Sequence, residues 1–223
     1  MGRKNKLQRF AENRTFKHYF QLSYEDAVSS GFPMKGKWNS SFFKNDNPIV
    51  LELGCGKGEY SVGLARRFPG KNFIGIDVKG ARLWRGLKSS FEEGLKNIAF
   101  VRTRIELIEY IFDKNEVDEI WITFPDPQIK ESREKKRLTS PLFLNRYKTF
   151  LKKGGIVHLK TDALLLYDYT LDIIKKNGYE LIYANEDIYN SDLNNEVVNI
   201  QTFYEQKWLS YNTPIKYLAF KMD

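Results

Sequence analysis

The sequence predicts an α/β fold with a doubly wound, mostly parallel sheet, and three observations carry that expectation. Short apolar runs such as Ile49–Leu53 alternate with longer amphipathic stretches, and parallel neighbours need such crossovers, whose helices then cover both sheet faces. A glycine-rich turn follows the first run, at the strand-to-helix junction where folds of this class bind ligands. The composition, 42% hydrophobic and 15% aromatic with seven Pro and fifteen Gly in 223 residues, excludes a disordered or collagen-like chain.

Taken in order, residues 1–34 show no sustained period and break at Gly31-Phe32-Pro33. They read as a basic arm or short helix outside the main core, with residues 35–223 as one domain. Ile49–Leu53 is a buried-strand run ended by a glycine turn, and Tyr60–Arg67 reads as a helix leading to Pro69-Gly70. Lys71–Asp77 is the next strand. Further strands are expected near 98–102, 118–123, 155–160, 179–184 and 215–221, with helices near 79–92, 104–111, 140–151, 163–176 and 200–209. Residues 124–139 and 186–199 are left irregular, and long loops inside domains are uncommon unless they serve a function.

The formal charge is +8, from 36 Lys and Arg against 28 Asp and Glu. Residues 1–20 hold much of the excess, with Arg3, Lys4, Lys6, Arg9, Arg14 and Lys17 against Glu12 alone. A polyanionic partner is the natural expectation. One cysteine, Cys55, and two histidines, His18 and His158, permit neither an intramolecular disulfide nor a Cys/His zinc set, so no metal is expected. With no signal-peptide pattern and no 18-residue apolar run, the expected location is the cytoplasm and no membrane partner is expected. Monomer and homodimer are equally compatible with these features.

Glu52-Leu53-Gly54-Cys55-Gly56-Lys57-Gly58 spaces its glycines as G-x-G-x-G, because Glu59 stands where a pyrophosphate-binding fingerprint needs its third glycine. Asp77 ends the following strand, where a carboxylate can accept hydrogen bonds from both hydroxyls of a ribose. Glu52 favours a cationic ligand. A nucleoside that is positively charged and carries no phosphate, S-adenosylmethionine, satisfies all three features. Cys55, inside the loop with no histidine near it in sequence, reads as a packing residue.

Phe124-Pro125-Asp126-Pro127-Gln128 ends another strand, and its prolines stiffen the backbone that carries Asp126. Lys130, Arg133, Lys135, Lys136 and Arg137 follow, five cations against the two acids Glu131 and Glu134, a run suited to phosphate contacts. Gly154–Asp162 finishes a strand with a second acid, while His158, inside that strand, reads as a core histidine. Thr202-Phe203-Tyr204-Glu205 offers a hydroxyl and a carboxylate at a helix start, and alone is indistinguishable from a capping box.

Together with Lys35-Gly36-Lys37-Trp38-Asn39 and Lys160-Thr161-Asp162, these segments resemble the tRNA (guanine-N7-)-methyltransferase family of the bacterial single-subunit type, from about Lys35 to Ala219. The resemblance implies a Rossmann-like class I S-adenosylmethionine-dependent methyltransferase with a seven-stranded sheet and an antiparallel C-terminal strand. It implies that Glu52, Gly54, Gly56, Gly58, Asp77 and Asp126 bind the cofactor, and it puts Arg104 where the family usually carries an acid or amide beside the adenine. It implies tRNA contacts from Lys130 and Asp162. With Gln128 replacing the family's common Trp, these shift toward Arg133, Lys135 and Arg137. Thr202, Phe203, Tyr204 and Glu205 would close over the guanine. Asp126 and Asp162 would be catalytic, orienting the guanine, and the product would be 7-methylguanosine in the tRNA variable loop. Two rivals share the fold. An exocyclic-amine methyltransferase needs a second proline and an aromatic residue that Asp126-Pro127-Gln128 lacks, and a non-catalytic RNA-binding protein would keep only the basic surface.

Overall fold

Strands buried on both faces read as unbroken apolar runs, and in the computed structural model, which describes residues 5–222, all five residues of the run Ile49–Leu53 are buried. The chain divides into two units, one ending at Phe112 and the other beginning at Asp113.

The first unit carries α1 (Lys6–Asn13), β1 (Tyr19–Gln21), α2 (Tyr24–Ser29), a π-helical turn (Trp38–Phe43), β2 (Ile49–Leu53), α3 (Glu59–Arg67), β3 (Asn72–Asp77), α4 (Gly80–Glu92), β4 (Ile98–Arg102) and a 3-10 turn (Ile105–Tyr110). Its strands lie in the order β1-β4-β3-β2, all parallel. The arm expected outside the main core contributes to it. Tyr19 pairs with Phe100, Asn13 donates to the Gly80 carbonyl at 2.7 Å, and Phe16, Leu22, Ala27 and Phe32 are buried. Its cations are partly engaged, with the Arg9 guanidinium 4.9 Å over Trp84. Arg3 and Lys4 lie outside the described residues. Beside β1, Trp38 is fully buried against Phe20, Phe32, Phe43 and Phe112 and donates through Nε1 to the Ile111 carbonyl at 3.2 Å.

The second unit carries β5 (Val117–Thr123), a 3-10 turn (Glu131–Lys136), α5 (Pro141–Tyr147), β6 (Leu151–Thr161), α6 (Leu164–Asn177), β7 (Glu180–Asn185), a 3-10 turn (Ile188–Asn190), α7 (Glu196–Asn199), α8 (Phe203–Leu209) and β8 (Lys216–Met222). The order is β5-β6-β8-β7, with β5 and β6 parallel and β8 antiparallel to both neighbours. The antiparallel C-terminal strand is as expected. Eight strands are present among the described residues instead of seven, because Tyr19–Gln21 adds one. The helix expected at 104–111 is a 3-10 turn, and the one expected at 140–151 stops at Tyr147 because β6 begins at Leu151. His158 is a core residue, as its place in the strand suggests. It stacks on Trp121 at 3.9 Å between ring centroids, and its Nδ1 lies 2.8 Å from the Tyr217 hydroxyl.

No helix among the described residues is long and apolar enough to cross a membrane.

Candidate functional site

In the first unit the chain leaves β2 and turns through Gly54, Gly56 and Gly58 at φ 73°, 57° and 70°, backbone that L side chains rarely adopt. The glycines serve two purposes. A Cβ on Gly58 would lie 2.5 Å from the Phe100 ring, so that position is bare because the core behind it is full. A Cβ on Gly54 would meet nothing within 4 Å, and one on Gly56 only the Gly54 carbonyl, at 4.0 Å, so a side chain there would stand in the space a ligand needs.

Asp77 is the clasp of this loop. Its Oδ2 accepts from the Gly56 amide at 2.9 Å and its Oδ1 from the Lys79 amide at 2.7 Å. Each carboxylate oxygen offers two lone pairs, so the hydroxyls of a ribose can still be served. Glu52 departs from expectation. It is 2% exposed, and its Oε2 accepts from both the amide and the hydroxyl of Ser61, so it braces α3 against β2 instead of offering an open carboxylate to a cation. Cys55 is buried, and burial with the nearby Glu52 and Asp77 carboxylates pushes its thiol well above the ordinary range, as suits a packing residue. Arg104 follows β4, is exposed, and lies 3.7 Å from Glu106. The bare outer face of Gly54 and Gly56, together with a clasping acid that keeps acceptor capacity, fits a cofactor bearing a nucleoside.

In the second unit the strained residues are not glycines. Phe124 and Gln128 both have φ 48°, flanking Pro125-Asp126-Pro127. Such backbone persists only where its surroundings over-determine it, and here they do. The Phe124 amide donates to the Lys160 carbonyl at 2.8 Å, the Gln128 amide donates to Asp126 Oδ1 at 3.0 Å, and the Asp126 side chain is exposed at the carboxyl edge of β5. Arg137 completes the clamp. Only 6% exposed, it donates through Nε to the Pro127 and Gln128 carbonyls at 3.2 and 3.3 Å, and its guanidinium lies 4.4 Å over the Tyr169 ring. Expected as an RNA contact, it is instead the brace of the loop that carries Asp126. Lys130, Arg133, Lys135 and Lys136 remain exposed. Asp162, half-buried, follows β6, with its backbone carbonyl accepting from Lys216 Nζ at 3.3 Å.

The Thr202–Glu205 segment splits the same way. Thr202 Oγ1 accepts from the Glu205 amide at 3.2 Å and the Glu205 carboxylate from the Thr202 amide at 3.3 Å, a capping box at the start of α8. Glu205 is fully buried, 2.5 Å from the equally buried Lys160 Nζ, and accepts from the Tyr189 hydroxyl at 2.7 Å. Lys160 also donates to the Val197 and Ile200 carbonyls. Burial pulls the ammonium down and pushes the carboxyl up, each against the attraction of its partner. Thr202 and Glu205, expected to close over a base, are turned inward as anchors. Phe203 and Tyr204, 52% and 44% exposed with ring centroids 5.8 Å apart, face outward. Sequence reasoning missed Lys160 and Tyr189 as anchors, because an interior Lys in a strand reads like any other until its partner is placed. Among the described residues no group of three or more His, Cys, Asp or Glu could hold a metal ion.

Residues 46–218 match the family model described as "Putative methyltransferase". The chain is 59% identical to the tRNA (guanine-N(7)-)-methyltransferase of Christiangramia forsetii, over the whole of both chains. It is 52% identical to the protein of that name from Bacteroides fragilis, covering 97% of this chain and 85% of that one. Among solved structures, the 16S rRNA methyltransferase KamB superposes with a TM-score of 0.63 at 13% identity, covering 82% of this chain and 92% of that one. The phosphoethanolamine N-methyltransferase 2 of Haemonchus contortus, solved in complex with S-adenosyl-L-methionine, gives 0.51 at 16% identity, covering 97% and 57%. At these identities the structures speak for the fold.

Proposed function

Because the chain belongs to the tRNA (guanine-N(7)-)-methyltransferase family, we propose that it methylates N7 of a guanine in the tRNA variable loop, with S-adenosylmethionine as its cofactor, in the cytoplasm. The cofactor supplies a methyl group made electrophilic by the adjoining sulfonium. Everything else falls to the chain. Gly54 and Gly56 leave room for the nucleoside, Asp77 accepts from its ribose, and Glu52 and Gly58 keep the loop and α3 in register behind them. Asp126 is the carboxylate we assign to the cofactor's positive charge.

Guanine N7 carries a lone pair and no proton, so no base has to act first. Orientation is then the main task, and a held geometry can contribute on the order of 7 to 11 kcal/mol. Asp126 and Asp162 are the orienting groups. Accepting from the guanine N1–H and 2-amino group, they select guanine over adenine and oppose the positive charge that develops on the ring. Lys130, Arg133 and Lys135 meet backbone phosphates, and Phe203 and Tyr204 offer ring faces to an unstacked base. Arg137, Thr202 and Glu205 serve this surface from behind.

The observation that carries the reading is the exposed Asp126 held between two left-handed residues and braced by Arg137. A solvent loop has no use for that arrangement. The test is labelled S-adenosylmethionine with bulk tRNA, followed by digestion to nucleosides. The label should run as 7-methylguanosine, and Asp162→Asn should lower turnover roughly 100-fold with cofactor affinity unchanged. Label in an exocyclic-amine product or no label in tRNA would overturn it, and full activity of the Asn variant would remove Asp162 from the site.

A further inference from the structure

A cavity of about 400 Å³ opens in the first unit beside the amino end of β4, and its wall includes Lys17, His18, Phe42, Phe43, Phe91 and Lys96. That volume lies in the range of small-ligand sites. The glycine turn after β2 stands at the carboxyl end of the same sheet, and the five residues of β4, about 13 Å of strand, separate the two ends. The cavity is therefore no part of the cofactor site.

Its rings are held in place. Phe91 packs on Phe16 with ring centroids 5.4 Å apart, and Phe42 meets Phe43 edge to face at 4.8 Å and Phe20 at 5.3 Å. The Ser90 hydroxyl donates to the Gly86 carbonyl at 2.8 Å, which leaves its oxygen to accept from His18 Nε2 at 2.9 Å. Burial holds that imidazole below its usual range, with the Lys96 ammonium acting in the same direction, so the wall is aromatic and uncharged at pH 7. Phe91 keeps 64% of its surface exposed, enough for a flat partner to lie on it.

The mouth is cationic. Lys17 and Lys96 stand exposed on two separate segments, and no carboxylate is among the described lining residues. The acids next to Phe91 are engaged elsewhere, Glu92 with Lys88 at 3.5 Å and Glu93 with the Arg66 guanidinium. Rings within and two cations at the lip match a base with a phosphate on either side of it, whereas a simple carboxylate would use only one lysine.

We infer that this cavity holds one unpaired nucleotide of the tRNA, away from the methylated guanine, with Phe42 and Phe91 against the base and Lys17 and Lys96 on the flanking phosphates, an inference that rests on the function proposed above. Stacking of this kind tolerates any base, because each has a π-face. The contact therefore adds grip without adding sequence preference.

The test uses the full chain and bulk tRNA. Short-wavelength ultraviolet light joins a stacked base to the ring beneath it, and mass spectrometry after digestion should find a nucleotide on the peptide carrying Phe91 or on the one carrying Phe42. Phe91→Ala should weaken tRNA binding roughly tenfold with affinity for S-adenosylhomocysteine unchanged, and Phe91→Tyr should bind like wild type. Lys17→Ala and Lys96→Ala, both at exposed positions, should each reduce the slope of log affinity against log salt by about 0.7. Wild-type tRNA affinity in Phe91→Ala with no nucleotide on either peptide would overturn this inference alone. So would adenosine monophosphate binding that is lost in Phe91→Ala while tRNA binding is untouched, since the occupant would then be a free nucleotide. A wild type that binds no tRNA would overturn the proposed function with it.

Discussion

The glycine loop after β2 and the proline loop after β5 stand at equivalent places, each where a parallel strand ends, yet they solve opposite problems. The first is emptied: its left-handed positions are glycines, and two of them face open space. The second is loaded: its left-handed positions are Phe124 and Gln128, and Arg137 and the Lys160 carbonyl hold them there. A loop that must be approached by a ligand loses its side chains. A loop that must present one carboxylate at a fixed angle spends neighbouring residues on bracing.

The widest test of that contrast strikes the bracing. Lys160→Met leaves Glu205 buried without its cation and should lower stability by about 3–5 kcal/mol in urea unfolding. Adding Glu205→Leu should return most of the loss, because the uncompensated charge is gone. A Lys160→Met protein as stable as wild type would mean that the pair braces nothing. Next in size is the pair of glycine substitutions. Gly58→Ala meets both the left-handed backbone and the Phe100 ring and should lose about 3 kcal/mol, whereas Gly54→Ala meets only the backbone and should lose about 1 kcal/mol. Cofactor affinity should fall in Gly54→Ala more than its stability does; the reverse order would abolish the distinction between a packed and an open glycine.

A smaller effect separates the cations of the proline loop. Removing Lys130, Arg133 or Lys135 should each reduce the slope of log affinity for tRNA against log salt by about 0.9. Arg137→Ala should leave that slope alone while depressing turnover, since its guanidinium is committed to the Pro127 and Gln128 carbonyls. A change of slope in Arg137→Ala equal to that in Lys130→Ala would return it to the RNA surface. The smallest effect belongs to His18, which lies 2.9 Å from Ser90 Oγ and whose imidazole is held below 6.5 mainly by burial. The folded state resists the proton that the unfolded chain accepts. Stability should therefore fall as pH drops below about 6.5, by less than about 1 kcal/mol, and His18→Gln should flatten that profile in pH-dependent unfolding.

Much of the fold was legible because buried parallel strands announce themselves. Ile49–Leu53 and Ile98–Arg102 are found where the apolar runs predict them. The N-terminal segment was not, because helix, strand and helix pass within Lys6–Ser29 and no one period lasts long enough to register. In the candidate site the places of the glycine turn after β2, of Asp77 at the end of β3 and of Asp126 after β5 were legible from strand ends and spacing. The inward turn of Arg137, Glu52 and Glu205 was not, since a charged side chain looks the same in sequence whether water or a buried partner receives it.

The sole thiol of the chain, Cys55, sits buried between the glycines of the emptied loop. A thiol reagent can reach it only when that turn opens, so the rate of alkylation at a single atom becomes a clock for loop breathing, read by mass spectrometry with no engineered label.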